Sequence, residues 1–561
     1  MVNLVDDDWL PARWRTGEVS RVSARTALER AAELSGLAVE PPTMVPAVLR
    51  QLLLPLVLAA LGAPTSRKEW WERFAAGKFS KEQMAELGAY LDEYGRRFAL
   101  FDAASPFAQV AGLEALSGET KPVSLLVPSV ATGNNVPLFT PFTEAREHDM
   151  PPEEAALWLL HAHCWDTAAI KTGAKGDSQA KGGKTTGSPT GPLGQLGVTI
   201  PEGRTLYETL LLNTPVIWDA RSARFEQDRP RWEADQPQGA SWEKRPPRGP
   251  MDVLTWQSRR IRLIPEETDR GVRVRRVVVC AGDRMTSLPE TAWEPHTIWS
   301  HTSKPKKGQP PTRPRRHRPG EFAWQGLAAL LSLARDDDTD GPRTSELLRQ
   351  IGELQAEGLL PEDYLVRVHT CGLVYGTQSA VVDDALADTL PLPAASLVAD
   401  SRVREAVLEA ASQADQVAQA LNLLSADLRR AEGSDPLPWG KGQRPGLTFL
   451  HLADIPVRRL LSGLRQVAAD EERIEEGMTA WEVIVTRHAW GVADDLLAAV
   501  SPSAFSGRSQ GGKAYRAATA RDAFRLALAR ILPRAAEAGA SGPDAKELPL
   551  SEADDEGDDD Q

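Results

Sequence analysis

Apolar residues recur every three or four positions through much of this chain, and where they do the pattern predicts helices. Residues 43–61 are the most apolar stretch, with Pro46 in the first turn and Pro55 as a candidate kink. Helices over 66–76 and 80–101 follow, each opened by a capping-box pair, Ser66 with Glu69 and Ser80 with Gln83. A buried helix is predicted over 152–171, where Leu157, Leu160, His161, Cys164, Trp165 and Ala168 keep helical spacing. Shorter helices are predicted over 204–213, 321–334 and 344–357. Strand patterns are fewer. NLVDDDWLP at 3–11 reads as a short strand and turn. Residues 253–264 and 272–280 read as strands of a small sheet, with Arg273 and Arg275 on one face. YLVRVHTCGLVYGTQSA, at 364–380, reads as a strand ending in a glycine-punctuated turn.

After Leu392 the pattern changes to four long helical segments, roughly 396–430, 447–469, 478–500 and 513–538, separated by Gly-, Pro- and Ser-rich linkers. In the fourth, Ala517, Ala520, Phe524, Leu528 and Ile531 make a core-facing stripe, which Pro533 kinks or ends. Four helices joined in this way predict a bundle. The fold class expected is α+β: a large mixed N-terminal domain at 1–391 with small sheets and several helices, a C-terminal four-helix bundle at 392–540, and a disordered acidic tail at 541–561.

The pattern fails most conspicuously at 172–197, TGAKGDSQAKGGKTTGSPTGPLGQLG, which lies between two predicted helices. Glycines, lysines and small hydroxyl residues cannot build a core, and a loop this long is usually functional or disordered. Glycine permits close backbone approach to a ligand and the lysines suit phosphates; a flexible, solvated surface loop has the same composition. Residues 102–150 are also irregular; Asn134 and Asn135 suit a turn there, and exposed amides can read base edges. Proline should keep the basic stretch KPKKGQPPTRPRRHRPG extended and unpacked, as a solvated loop or a phosphate-contacting arm.

Composition narrows the class. The 561 residues are 42% hydrophobic and 25% charged, as in an ordinary soluble globular protein. A net charge of −13 argues against a general nucleic-acid binder, but the charge is uneven, so local basic patches can still steer DNA. Cys164, Cys280 and Cys371 are too scattered for a disulfide framework or a zinc ribbon. The opening MVNLVDDDW is acidic where a secretory signal is basic, and the longest apolar run, 52–62, is short for a membrane span. A cytoplasmic protein is expected.

Candidate catalytic motifs fail one by one. GGKTT at 182–186 resembles the end of a phosphate-cradling P-loop, but Ser178 stands where the first glycine belongs and a helix, not a strand, leads in. Gly507-Arg508-Ser509-Gln510-Gly511 has the nucleophile-elbow spacing, yet it lies between bundle helices and no histidine follows it. His161 and His163 are two apart on a helix and face different ways. The acidic clusters 336–338, 383–384 and 494–495 sit in loops or on solvated faces. No enzyme, cofactor or metal site is expected.

Several weak signals occur in one order across most of the chain: NLVDDDWLP, SPFAQ, the glycine-rich insertion, TWQ at 255–257, WEPH at 293–296, AWQ at 323–325, and GLVYGTQSA before the bundle. Together they resemble the CasA family, the large subunits of the type I-E CRISPR surveillance complex, Cascade. The bundle matches in architecture more than in motif.

The resemblance implies a DNA-binding subunit that recognises the protospacer-adjacent motif (PAM) from the minor groove. It also implies that the subunit wedges open the adjacent duplex to start R-loop formation and helps recruit the helicase-nuclease. The implied partners are double-stranded target DNA, guide RNA within the complex, the small-subunit dimer and backbone subunits. Gly173 and Gly176, flanking Lys175, would lie against the groove, with Lys181 and Lys184 near phosphates. Gln378, in the Tyr375-Gly376-Thr377-Gln378 turn, stands where the family carries its wedge glutamine, beside Thr377. Asn134 and Asn135 fall in the family's early DNA-contacting loop. The family's better-known basic finger, a lysine amid cysteines after the segment matching TWQ, is absent here, leaving Arg270 and Arg273 as substitutes. The alternative is a non-catalytic scaffold subunit without direct DNA readout.

Overall fold

A computed structural model describes residues 2–131, 148–216, 228–333, 339–436, 444–510 and 512–539. The candidates Asn134 and Asn135, the acidic cluster 336–338 and the acidic tail at 541–561 lie outside the described residues. The fold is α+β. The chain divides into two compact units, Met1–Pro361 with Leu365–Leu390, and Glu362–Tyr364 with Pro391–Gln561.

The first unit is built on the apolar helix predicted at 43–61. It runs without a break from Met44 to Leu61, but its middle turn, Leu49–Leu53, is π-helical. The Leu54 N–H bonds back five residues to the Leu49 carbonyl, and Pro55, which has no N–H to give, follows at once. The wider turn accommodates the proline, so the expected kink becomes a π-bulge. By length and composition this helix could cross a membrane, yet 78% of it is buried within the protein.

The bulge also turns Arg50 inward, where it is 2% exposed. Its guanidinium forks onto both carboxylate oxygens of Glu294, the Nη2–Oε2 bond being 2.7 Å, and Nη1 lies 3.1 Å from His296 Nδ1. Burial beside this guanidinium holds the His296 imidazole neutral, well below its ordinary pKa. The WEPH motif is thus a piece of charged core, locked to the central helix.

The unit also contains several small sheets. Val19–Val22, Leu10–Trp14 and Leu34–Leu37 form one; of the expected strand at 3–11 only the end is strand, because Asn3 to Asp7 close a turn. Arg259–Thr268 and Gly271–Ala281 form a long antiparallel hairpin. The first of these strands starts later than expected, since Pro250–Leu254 is a short helix whose free N–H groups, Met251 and Asp252, are taken by Asp228. Thr312–Pro314 pairs with Trp299–His301, so the middle of the basic stretch expected to be unpacked is a short hairpin strand. Leu365–Tyr375 pairs with Val382–Pro393 on one side and Val198–Glu202 on the other. Both predicted caps form, but the one at Ser66 is not reciprocal, because Glu69 reaches Thr65 N–H instead. The helix expected at 321–334 is only two short turns, Ala323–Gly326 and Leu327–Leu330.

The second unit contains the four long helices, Arg402–Glu432, Pro445–Gln466, Glu471–Ala498 and Ala517–Ile531. Pro533 ends the fourth and begins a short helix, Pro533–Glu537. Arg534 of that helix bonds Glu409, Glu475 and Glu482, and the fully buried Glu482 also accepts from Gln413 at 2.7 Å and from the Ala535 N–H.

Removing one member of the Arg50–Glu294 pair leaves the other charged and buried. Glu294→Ala is expected to cost about 3–5 kcal/mol. The double replacement Arg50→Met/Glu294→Leu should cost less than that single change, as read from urea unfolding followed by tryptophan fluorescence.

Candidate nucleic-acid interface

The glycine-rich stretch is held at both ends by one arginine. The helix Pro152–Trp165 stops at Asp166, and Arg259, 1% exposed, meets the chain there. Its guanidinium donates to the Asp166 carboxylate and to the carbonyls of Thr167 (2.8 Å) and Pro189 (2.8 Å), with a longer contact to Asp166 O at 3.4 Å. The loop's beginning and end are thereby fastened to the same planar fork. Gly191 N–H closes the ring onto Asp166 O at 2.8 Å, and a Cβ on Gly191 would collide with the Cys164 carbonyl. Lys171 adds a second cation, its Nζ 2.6 Å from Asp166 Oδ2. Burial alone would raise the Asp166 pKa; Lys171 and Arg259 outweigh it and hold the carboxyl at about 2. Burial, with Arg259 repulsion added, brings the Lys171 ammonium down to about 8 against the pull of Asp166.

Between these ends the stretch is folded, not a loose solvated loop. Lys171–Thr172 pairs with Lys184–Thr185. Lys181 and Lys184 exchange backbone hydrogen bonds of 2.9 and 3.1 Å around Gly182 and Gly183, whose φ values are +57° and +75°. Two successive positive φ angles are what a two-residue hairpin turn requires, so these glycines turn a hairpin. The buried Asp177 organises the interior, accepting from Gln179 N–H (2.9 Å), Thr185 Oγ1 (3.2 Å) and Trp242 Nε1 (3.2 Å). Arg284 stacks on Trp242 at 3.7 Å from the ring centroid and donates to Thr186 O.

The individual candidates divide accordingly. A Cβ on Gly173 would lie 2.9 Å from Ala180 Cβ and 3.0 Å from Leu116 Cδ1, so this glycine serves the loop's own packing. Gly176, at φ +84°, has open space around it except for Ala240 at 4.0 Å, and is glycine because of its backbone angle. Lys175 bonds Glu114 at 2.6 Å with both side chains more than half exposed, an ion pair of little strength. Lys181 and Lys184 are exposed and meet no carboxylate among the described residues.

Gln378 sits on a stiff support. Leu365–Tyr375 and Val382–Pro393 are the arms of a hairpin whose tip is the tight turn Thr377–Ser379. Gln378 and Ser379 both have φ +55°, a left-handed conformation that costs a non-glycine residue roughly 1–2 kcal/mol. The turn is kept there by Gly376 N–H to Val381 O (3.1 Å) and Ala380 N–H to Thr377 O (3.0 Å). Thr377 and Gln378 are exposed, and no described residue bonds the Gln378 amide. Two bonds join this tip to the loop's base: Ala168 N–H to Ser379 O at 2.8 Å, and Tyr375 OH to Trp165 O at 2.5 Å. Gly194 packs so closely on Tyr375 that a Cβ there would overlap the phenol. Loop and hairpin tip are therefore one connected assembly.

Arg270 and Arg273 are not part of it. Cys280 pairs with Thr172 at the loop, whereas Arg270 lies just beyond the far end of the same strand, roughly 30 Å away at about 3.3 Å per residue. There Arg270, Arg273 and Arg275 surround a single carboxylate, Asp149. Sequence reasoning missed Arg259, Asp166, Lys171 and Asp177. None of them carries a local signal, since Asp166 and Arg259 meet only in three dimensions.

Acid–base chemistry is muted. Burial brings His161 down to about 3 and His163 to about 4, and pushes Cys164 up to about 12. Thr43 Oγ1 pairs with His161 and the Ala108 carbonyl with His163. Among the described residues no three His, Cys, Asp or Glu side chains converge as metal ligands.

Comparison with known proteins gives a consistent result. The family model for CRISPR-associated protein Cse1 matches residues 3–492. A curated protein of Thermus thermophilus, CRISPR-associated protein CasA/Cse1, is 28% identical over 471 residues, 82% of this chain and 84% of that protein. The crystal structure of the Cse1 protein from Acidimicrobium ferrooxidans is similar with a TM-score of 0.78 and 31% identity, over 95% of this chain and 98% of that one. A chain of a CRISPR RNA-guided surveillance complex shares the fold with a TM-score of 0.60 at 20% identity, over 96% of this chain and 97% of that one.

Arg259→Gln is expected to free both ends of the loop, and amides across 172–190 should exchange at least tenfold faster while the bundle helices are unchanged. Arg259→Lys should not restore protection, because an ammonium cannot span the Thr167 and Pro189 carbonyls together. With Asp166 held at about 2 against an ordinary value near ~3.9, its contribution is complete above about pH 4 and lost as pH falls towards 2. Pepsin should therefore cut within 172–190 before it cuts elsewhere as the pH is lowered through that window.

Proposed function

The chain belongs to the CRISPR-associated Cse1 family, and from that premise we propose that it is the DNA-reading large subunit of an RNA-guided surveillance complex. In this reading guide-RNA pairing supplies sequence specificity, and the chain has only to find the PAM and start strand separation. The minor groove, narrow and degenerate in its code, suits backbone recognition by a glycine-rich edge. Lys181 and Lys184 carry free charge for phosphates; Lys175 can exchange Glu114 for one. Gln378 then acts as the wedge. The bundle meets the small subunits, the guide RNA runs through the assembled complex, and a separate helicase-nuclease performs cleavage.

The observation that carries this reading is the connection between Gln378 and the loop. An exposed amide without a partner, held in a strained left-handed turn, is bolted through Ser379 to Ala168 at the loop's base. Strain of this kind persists where the surrounding structure enforces it, and it concentrates at functional sites. A wedge must not yield when a base pair is pushed apart, and this tip is braced at both Tyr375 and Ser379.

Opening the first step beside the PAM costs a few kcal/mol of stacking and pairing. Gln378→Ala in the assembled complex should leave PAM-dependent docking nearly intact and slow the opening of a paired target. A target mismatched next to the PAM should restore the rate. Normal opening of paired DNA by the variant, or no rescue by the mismatch, would refute the wedge. Equal affinity of the wild-type complex for duplexes with and without a PAM would favour a scaffold subunit instead.

A salt titration tests the lysines separately. Lys181→Ala and Lys184→Ala should each reduce the slope of log K against log salt by about 0.9. Lys175→Ala should reduce it less, since that charge is already paired in the free chain.

A further inference from the structure

Behind the segment that backs the glycine-rich loop lies a cavity of about 50 Å³ lined by Arg97, Arg231 and the amides of Gln51, Gln236, Gln238 and Gln257. One water needs roughly 10–15 Å³ of such space, so the cavity takes about four oxygen-sized centres. It is walled by Phe107 and Trp232, both of which are buried.

Two half-buried cations face this space and, among the described residues, lack the paired carboxylates that accompany the fully buried guanidiniums. Arg50 has Glu294, Arg259 has Asp166 and Arg260 has Asp283. Among the described residues, Arg97 donates only to the neutral Ser105 hydroxyl, at 3.0 Å. The Arg231 backbone donates to Thr255 Oγ1, and its guanidinium bonds none of the described residues. Two carboxylates lie near enough for their field to be felt at Arg231, Asp283 and Asp252. Both are already engaged. Asp283 takes Arg260 at 2.6 Å and Asp252 takes both terminal nitrogens of Arg245 at 2.5 and 2.8 Å. Asp228 is engaged too: it caps the N–H groups of Met251 and Asp252, and burial pushes its carboxyl up to about 6. Burial lowers the pKa of Arg231, the expected response of a guanidinium short of counter-charge.

Among the amides around the cavity, Gln51 already donates to Trp256 O at 3.2 Å and Gln109 to Leu100 O at 2.7 Å. Gln238, oriented to satisfy its neighbours, donates to Gln257 Oε1 and accepts from Arg260, and no described residue accepts from the Gln257 amide nitrogen. A partly buried cation pair with neutral donors and room for about four oxygens matches a tetrahedral oxyanion. We propose that this cavity binds a phosphate group between Arg97 and Arg231, with Gln257 as a neutral donor. The site is independent of the wedge reading, because it can be filled and measured in the isolated chain.

The probe is inorganic phosphate, titrated into the full chain at constant ionic strength with chloride as the balance. A saturable rise in Tm, and saturable binding heat, are expected for the wild type. Arg231→Gln and Arg97→Gln should each weaken phosphate binding at least tenfold; Gln257→Leu, which keeps the charge, should weaken it by less. Absence of any saturable effect over chloride would overturn the proposal, as would wild-type affinity in both arginine variants. Phosphorus NMR with a short duplex added then separates the sources. Displacement of phosphate by the duplex identifies a nucleic-acid backbone phosphate as the occupant, and retention identifies free phosphate; either supports the site.

Discussion

A guanidinium withdrawn from water has to be met by oxygen, and the way Arg259 meets that demand sets the shape of the candidate interface. Five acceptors converge on it, from Asp166, Thr167, Pro189 and Ser258. Satisfying one buried charge therefore brings together two points of the chain that local sequence would leave apart. Closing a long loop costs entropy that grows only slowly with its length, so a few strong bonds at the base suffice to hold it. Because Ala168 also bonds Ser379, the same closure fixes the position of the Gln378 turn. The Arg50–Glu294 pair repeats the principle deeper in the unit, with the π-bulge as the backbone's adjustment to it.

Much of the architecture was legible because it is periodic. The bundle helices, the apolar helix ending at Leu61 and the strand and turn leading to Gln378 announce themselves through spacing and turn residues, whereas the returning strand Val382–Pro393 does not. What could not be read was long-range. Arg259 looks like any arginine entering a strand, and Asp177 like any loop aspartate, until folding surrounds each with its partners. Local signals were also open to two meanings. Gly182 and Gly183, beside lysine, resemble the end of a phosphate loop by composition, and only the folded chain shows the two-residue turn they make. Arg270 and Arg273 share a strand with a residue that touches the loop, yet a strand is long, and it carries them away.

The second unit is organised by a similar economy of charge. Glu482, fully buried on Glu471–Ala498, is satisfied by Gln413, by Arg534 and by a backbone N–H of the short terminal helix. The periodicity that revealed the bundle gave no hint of this, because Arg534 follows the proline at which the apolar stripe stops. In both units a side chain outside the recognisable pattern fastens a segment that hydrophobic packing alone leaves underdetermined.

The closed base of the glycine-rich stretch makes it a cassette. Its base is fastened at Asp166, Thr167, Pro189 and Gly191 and its flank at Glu114 and Trp242, while Gly182 and Gly183 sit at a tip where an added Cβ would meet nothing within 4 Å. Descendants of this chain can lengthen, shorten or recolour that tip with different residues and leave the supporting frame untouched. Change at that tip therefore asks nothing of the residues that hold the base.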